Sequence, residues 1–210
     1  MILTVRSWQV DRRDHAEFAR ISEDEYWPLF EQLGGRALGI WALRVGGPER
    51  LVLMTRYDSL DHWLGTRAWG SAADKLKAIS DQRDAMIGAT DLVALDALSR
   101  RQPGGDAPEA APGVYVWEHF SVAERDLARF RDLTEDHWLP DAEAAGGIRL
   151  VGIWSVLIGA QQRVYMLTRA DSVAAWQSCL AANAHALEQR AAIGERTCVQ
   201  LLYSVTRRRP

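Results

Sequence analysis

Short apolar runs with polar interruptions alternate along this chain with longer runs whose apolar positions recur three to four apart. The first pattern marks strands and the second marks helices. Ile2–Val10 predicts a strand. Asp11–Leu33 predicts a helix, with Phe18, Ile21, Glu25 and Leu29 on one face and Gly34-Gly35 as its stop. Arg36–Val45 predicts a strand, Gly46-Gly47-Pro48 a turn, and Leu51–Tyr57 a further strand. Asp58-Ser59 supplies an N-cap for a helix running through much of 60–86, with Asp61 in its first turn. Thr90–Leu98 closes the set as a strand. The order is β-α-β-β-α-β, the split ferredoxin-like unit.

The same order then returns. Val114–Phe120, Leu150–Leu157, Arg163–Arg169 and Thr197–Val205 predict strands, and helices are predicted from about 123 to 145 and about 172 to 192. The sequence itself repeats. RLVLMTRYDSLDHW (50–63) reappears as RVYMLTRADSVAAW (163–176), with Arg50/Arg163, Thr55/Thr168, Arg56/Arg169, Asp58/Asp171, Ser59/Ser172 and Trp63/Trp176 identical. SEDEYWP (22–28) matches TEDHWLP (134–140), and GGRALGIW (34–41) matches GGIRLVGIW (146–154). Such a period is far too long for a solenoid. It predicts two α+β domains, 1–98 and 114–206, joined by a Pro-, Gly- and Ala-rich linker, 99–113.

A four-stranded sheet with both helices on one face must cover its other face. Both parities of these strands carry bulky residues, which predicts two sheets packed together as a pseudo-dimeric α+β barrel with the helices outside. Arg6, Trp8, Glu118 and Phe120 are assigned to the interior of that barrel, and His119 to the helix side.

Composition is that of a globular protein, with 48% hydrophobic and 25% charged residues. A net charge of −3 and the lack of a basic stripe before Arg207-Arg208-Arg209 argue against nucleic acid as a partner. No run approaches a membrane span or a signal peptide. Cys179 and Cys198 form no metal or redox spacing, and a cytoplasmic protein is expected.

The tandem unit, the Gly-Ile-Trp strand after a Gly-Gly turn and the strand running into Arg-Tyr-Asp-Ser resemble the NIPSNAP family of the dimeric α+β barrel superfamily. The second copy departs at Ala170, where the first has Tyr57. The resemblance implies a pocket rather than a reaction. Related barrels include cofactor-independent monooxygenases, cyclases, lactone isomerases, haem-degrading enzymes and chlorite dismutases.

Differences between the copies point to candidate chemistry. Arg6 corresponds to Glu118; the pair reads as a buried ion pair, or Glu118 as a general base raised by desolvation. His137 replaces Glu25 and, seven residues after Phe130, is expected to face the sheet or its rim as an acid or base. Its other reading is a weakened capping box, Thr134-x-x-His137 after Ser22-x-x-Glu25. Glu23-Asp24 and Glu135-Asp136 read as solvated residues of a helix's first turn. Arg56 and Arg169, at strand ends, can grip a carboxylate or phenolate, or pair with a helix carboxylate. Trp41, Trp154, Trp63 and Trp176 read as core, while Trp8, Phe120 and Trp154 can also pack on a flat ligand. No nucleophile elbow, phosphate loop, dinucleotide fingerprint or zinc cluster is present.

Three readings follow. The first is an enzyme that cyclises, isomerises or oxygenates an apolar or aromatic metabolite without a cofactor, with His137 or Glu118 moving the proton. Arg6, Trp8, Phe120, Arg56, Arg169 and Trp154 would then orient the substrate. The second is a non-catalytic ligand-binding or interaction module, with a homodimer of the fused pair as one assembly it could form. The third is a haem-binding barrel using His119, His137 or His185.

Overall fold

The computed structural model describes residues 1–68, 70–100, 113–144 and 147–205. Most of the predicted linker, Gly146 of the second Gly-Gly turn and Arg207–Arg209 lie outside them. Eight strands form: β1 (Ile2–Val10), β2 (Arg36–Val45), β3 (Arg50–Tyr57), β4 (Ile87–Ala97), β5 (Val114–Val122), β6 (Ile148–Ile158), β7 (Arg163–Ala170) and β8 (Gly194–Ser204). All pair antiparallel and close into one barrel in the order β1-β3-β2-β8-β5-β7-β6-β4. The two sets of four therefore do more than face each other. Their edges hydrogen-bond at β2–β8 (Trp41 opposite Ser204) and β4–β6 (Ala97 opposite Trp154), so that each of the eight strands has two neighbours.

Helices pack outside. α1 (His15–Ile21) continues through a π-helical turn, Ser22–Tyr26, into α2 (Trp27–Glu31). α3 (Leu60–Thr66) and α4 (Ala73–Asp84) follow β3. In the second half α5 (Leu127–Asp132) runs through a π turn, Leu133–Trp138, into α6 (Leu139–Ala144), and α7 (Val173–Ala182) and α8 (Ala184–Ala191) follow β7. Ser59 and Ser172 cap α3 and α7, accepting bonds from the His62 and Ala175 amides at 3.0 and 3.1 Å. Gly34, at φ +88°, ends the first helical run as the glycine signal predicts. No helix among the described residues is long and apolar enough to cross a membrane.

The capping-box expectation is corrected. Ser22 and Thr134 lie inside their helices and donate their hydroxyls to the carbonyls of Phe18 and Phe130, four residues back, at 2.7 and 2.8 Å. Pro28 and Pro140 follow the π turns and have no N–H to continue the normal ladder. The wider π turn also shifts the helix face by about one residue. Trp138 therefore takes the buried position expected of His137, which is exposed.

Glu23 and Glu135 are not solvated either; both are buried. Glu135 accepts from the Arg100 amide at 3.1 Å, from Arg100 Nε at 2.8 Å and from the Ser99 hydroxyl. It thereby ties the chain leaving β4 to a helix of the other half.

The core has three parts. Leu3, Val5, Trp41, Met54, Leu95, Tyr115, Trp117, Trp154, Leu167 and Leu202 fill the barrel bore. Each half then has its own layer between strands and helices. Trp8 packs on Phe18 at 5.0 Å in the first, and Phe120 packs on Phe130 at 4.9 Å in the second. The parity assignment from sequence is thus reversed. Arg6, Trp8, Glu118 and Phe120 face the helices, and His119 faces the bore. Alternation could not distinguish the two sides because both are buried against aromatic residues.

Candidate functional site

In the first half a narrow cleft opens between the sheet and the helices. β1 contributes Thr4, Arg6 and Trp8; β3 contributes Thr55 and Tyr57; Tyr26, Trp63, Arg67 and Arg83 come from the helical side. Its room, about 40 Å³, suits a few waters or the head of a small anion.

Arg83, at the end of α4, is 5% exposed. Its guanidinium carbon lies 4.6 Å from the ring centre of Phe18, 4.7 Å from Tyr26 and 5.0 Å from Trp8, so three π faces hold it. Its Nε is buried without a hydrogen-bond partner among the described residues. Burial lowers its pKa to about 10, which leaves it charged at neutral pH. Arg6 is also lowered, by burial first and then by repulsion from Arg67. Arg67 packs 5.5 Å from the Trp63 ring centre and donates Nη2 to the Tyr57 hydroxyl at 3.2 Å, while its Nε is likewise buried and unpartnered among the described residues. Burial raises the Tyr57 pKa, so the phenol keeps its proton. Three cations thus converge on one cleft, and none of the described residues lining it is a carboxylate.

The second half builds the same cage and fills it differently. Arg190, 2% exposed, lies 4.9 Å from Phe120, 5.1 Å from Trp138 and 5.8 Å from Phe130, the counterparts of Trp8, Tyr26 and Phe18. Where the first half has Arg6, this half has Glu118, 1% exposed. Glu118 accepts from Arg196 Nη1 at 3.1 Å, and its charge opposes the lowering that burial imposes on Arg190. The expected Arg6–Glu118 pair does not form. β1 and β5 are not neighbours in the barrel, and each residue sits beneath its own helices.

The remaining predicted residues do not converge on this cleft. His137 is exposed on the second half, and its neighbour Trp138 takes the place in the cage. Arg169 ends β7 within 3.6 Å of Asp171, and Arg56 holds the equivalent end of β3. Trp154 is bore core, 5.9 Å from Trp117. Trp63 and Trp176 are half-buried on the helix side. Arg83 and Arg190 escape the sequence reading, although Gln82-Arg83 ahead of Ile87-Gly88 and Gln189-Arg190 ahead of Ile193-Gly194 repeat in the sequence.

Of the three histidines considered for haem, His137 and His185 are exposed. His119 faces the bore with its centroid 4.5 Å from the Tyr165 ring, and an eight-stranded bore admits side chains or one small ligand. These residues do not fit a porphyrin. No group of three or more His, Cys, Asp or Glu able to hold a metal occurs among the described residues.

Burial, and then the positive charge of Arg163, lowers the His119 pKa to about 4. The unfolded chain, with histidine near 6.5, binds this proton more readily than the folded one between those values. Stability should therefore fall as pH drops from about 6.5 to about 4, and His119→Asn should flatten that slope. Urea unfolding at pH 7 and pH 5 checks it; an equal slope in both proteins would contradict the assignment.

Comparisons with known proteins agree with this architecture. The NIPSNAP family profile matches residues 3–93. No curated protein matches the chain. Among solved structures, a protein from Lactobacillus acidophilus provisionally named a monooxygenase aligns with TM-score 0.63 and 12% identity, over 97% of this chain and 93% of that one. An anthrone oxidase-like protein aligns with TM-score 0.58 and 13% identity, over 99% and 94%. A heme-binding protein from Thermus thermophilus aligns with TM-score 0.56 and 13% identity, over 97% and 90%. At such identities the likeness shows a fold, the antiparallel α+β barrel. Through residues 3–93, its first half, the chain is similar to the NIPSNAP family.

Proposed function

We propose that the helix-side cleft of the first half binds a small organic anion, an aromatic carboxylate or phenolate. The anionic head enters among Arg6, Arg67 and Arg83, and the ring rests at the rim on half-buried Tyr26 and Trp63. One observation carries this reading. The second half places its own carboxylate, Glu118, beside its caged arginine, whereas the first half has a third arginine there. An external anion supplies the missing charge. The chain is then two fused ferredoxin-like halves, 1–98 and 114–206 about the 99–113 linker, of which the second is closed by its own residue and the first stays open.

Chemically, such a cleft stabilises negative charge on a carboxylate, phenolate or enolate oxygen, with Tyr57 as a protonated hydroxyl donor. Enolate or phenolate chemistry on an aromatic metabolite fits these electrostatics. Proton transfer by His137 or Glu118 does not, because both side chains belong to the second half and neither lines the cleft. The names of the similar folds, a monooxygenase and an anthrone oxidase-like protein among them, support small-molecule chemistry in barrels of this shape.

The test is a titration with benzoate and with benzamide, read at the Arg83 Nε–H signal by nitrogen-15 NMR and assigned by its loss in Arg83→Met. Benzoate should move that signal saturably and benzamide should not. Equal responses, or none from benzoate, would remove the proposal. Arg83→Met should itself fold, since an apolar side chain of similar volume replaces an unpaired buried charge.

A further inference from the structure

A second cavity lies at the end of the bore where β1 and β5 finish, next to the hairpin turns that lead into β3 and β7. It has room for about 370 Å³, within the range of small-ligand pockets. Its shaft is apolar, walled by Val5, Val52, Trp117 and Tyr165. The two halves differ at its rim. Arg50 is fully engaged, paired with Asp91 and donating to the Ser7 hydroxyl at 3.2 Å. Its repeat counterpart Arg163 has His119 in place of Ser7 and makes no ion pair among the described residues. His119 Nε2 is buried with no hydrogen-bond partner among the described residues, and the ring is held at 4.5 Å from Tyr165 and 5.9 Å from Trp117.

We infer that this end of the bore is a separate binding site for a small apolar monocarboxylate, its tail in the Val/Trp/Tyr shaft, its carboxylate on Arg163 and its oxygen bonded to His119 Nε2. A free cation, an orphaned imidazole nitrogen and an apolar shaft are what such a molecule needs. A neutral apolar ligand would leave Arg163 unused, and a dianion would put its second charge against apolar walls. A neutral imidazole can present Nε2 as an N–H donor, whereas the side of the rim bearing Asp91 would repel an acid. The site is independent of the helix-side cleft, which lies across β1 on the other face of the sheet.

The probe is 3-phenylpropionate, with 3-phenylpropanamide as its neutral control, added to the full-length protein while the His119 imidazole signals are followed by NMR. Loss of those signals in His119→Asn assigns them. The acid should move them saturably and the amide should bind at least about tenfold more weakly, the order expected for one charge-assisted contact. Arg163→Gln changes an exposed side chain, so the fold should hold, and it should weaken the acid by a similar factor. Arg83→Met should leave this response unchanged. A His119 signal that stays fixed at saturating acid, an Arg163→Gln protein that binds normally, or a response lost only in Arg83→Met would each overturn the inference. The last outcome would place the probe in the helix-side cleft and leave the proposal for that cleft standing.

Discussion

Glu118→Leu should lower the unfolding free energy by about 3 kcal/mol, because it removes one partner of a buried charge cluster and leaves the other in place. The cost falls on Arg190. At 2% exposure it cannot recover water, and its aromatic cage offsets only part of the lost attraction. Arg196 also loses its bond to Glu118, but at 41% side-chain exposure it rehydrates and contributes little. Glu118→Leu combined with Arg190→Met should recover most of the loss, since both charges are then replaced by apolar volume. Urea unfolding of the two single variants and the double variant measures this coupling directly. A Glu118→Leu protein within about 0.5 kcal/mol of the parent, a change expected of a surface site, would show that Arg190 does not depend on Glu118.

In the proposed function a ligand gives the first half the charge that Glu118 gives the second. Arg83 is caged as Arg190 is, yet the position of the neutralising carboxylate holds Arg6. Any anion that binds the folded cleft and not the unfolded chain stabilises the protein by mass action. Benzoate should therefore raise the unfolding midpoint of the parent protein as well as bind to it.

Much of the architecture is legible in the sequence because two independent signals agree. Hydrophobic spacing locates all eight strands, and β1 and β2 have the predicted ends, Ile2–Val10 and Arg36–Val45. Ser59 caps its helix as read, and its repeat Ser172 does the same. The faces are not legible. In β1 and β5 both parities bury bulky residues, one set in the bore and one beneath helices, so alternation puts Arg6 and Glu118 on the wrong side. His137 is misplaced for a different reason. The seven-residue offset from Phe130 presumes an unbroken 3.6-residue repeat, and the π turn at Leu133–Trp138 inserts an extra residue that turns Trp138 inward. Arg83 and Arg190 look like ordinary polar residues at the end of amphipathic helices. Their role emerges only when Trp8, Phe18 and Tyr26, from separate elements, close around one guanidinium. The comparison of copies nevertheless singles out the Arg6/Glu118 difference, which is the residue pair on which the two cages diverge.

Arg6→Glu tests that divergence most directly, because it gives the first half the internal carboxylate that the second half already has. The measurement is the benzoate titration of the Arg83 Nε–H signal in the Arg6→Glu protein beside the parent, with urea unfolding of each. Glutamate beside Arg83 should hold the position of the anion, weaken benzoate by about a hundredfold or more through the loss of one attraction and the gain of one repulsion, and raise the unfolding free energy in the absence of ligand. Benzoate binding of parental strength to Arg6→Glu, or a protein made less stable by the added carboxylate, would contradict the account.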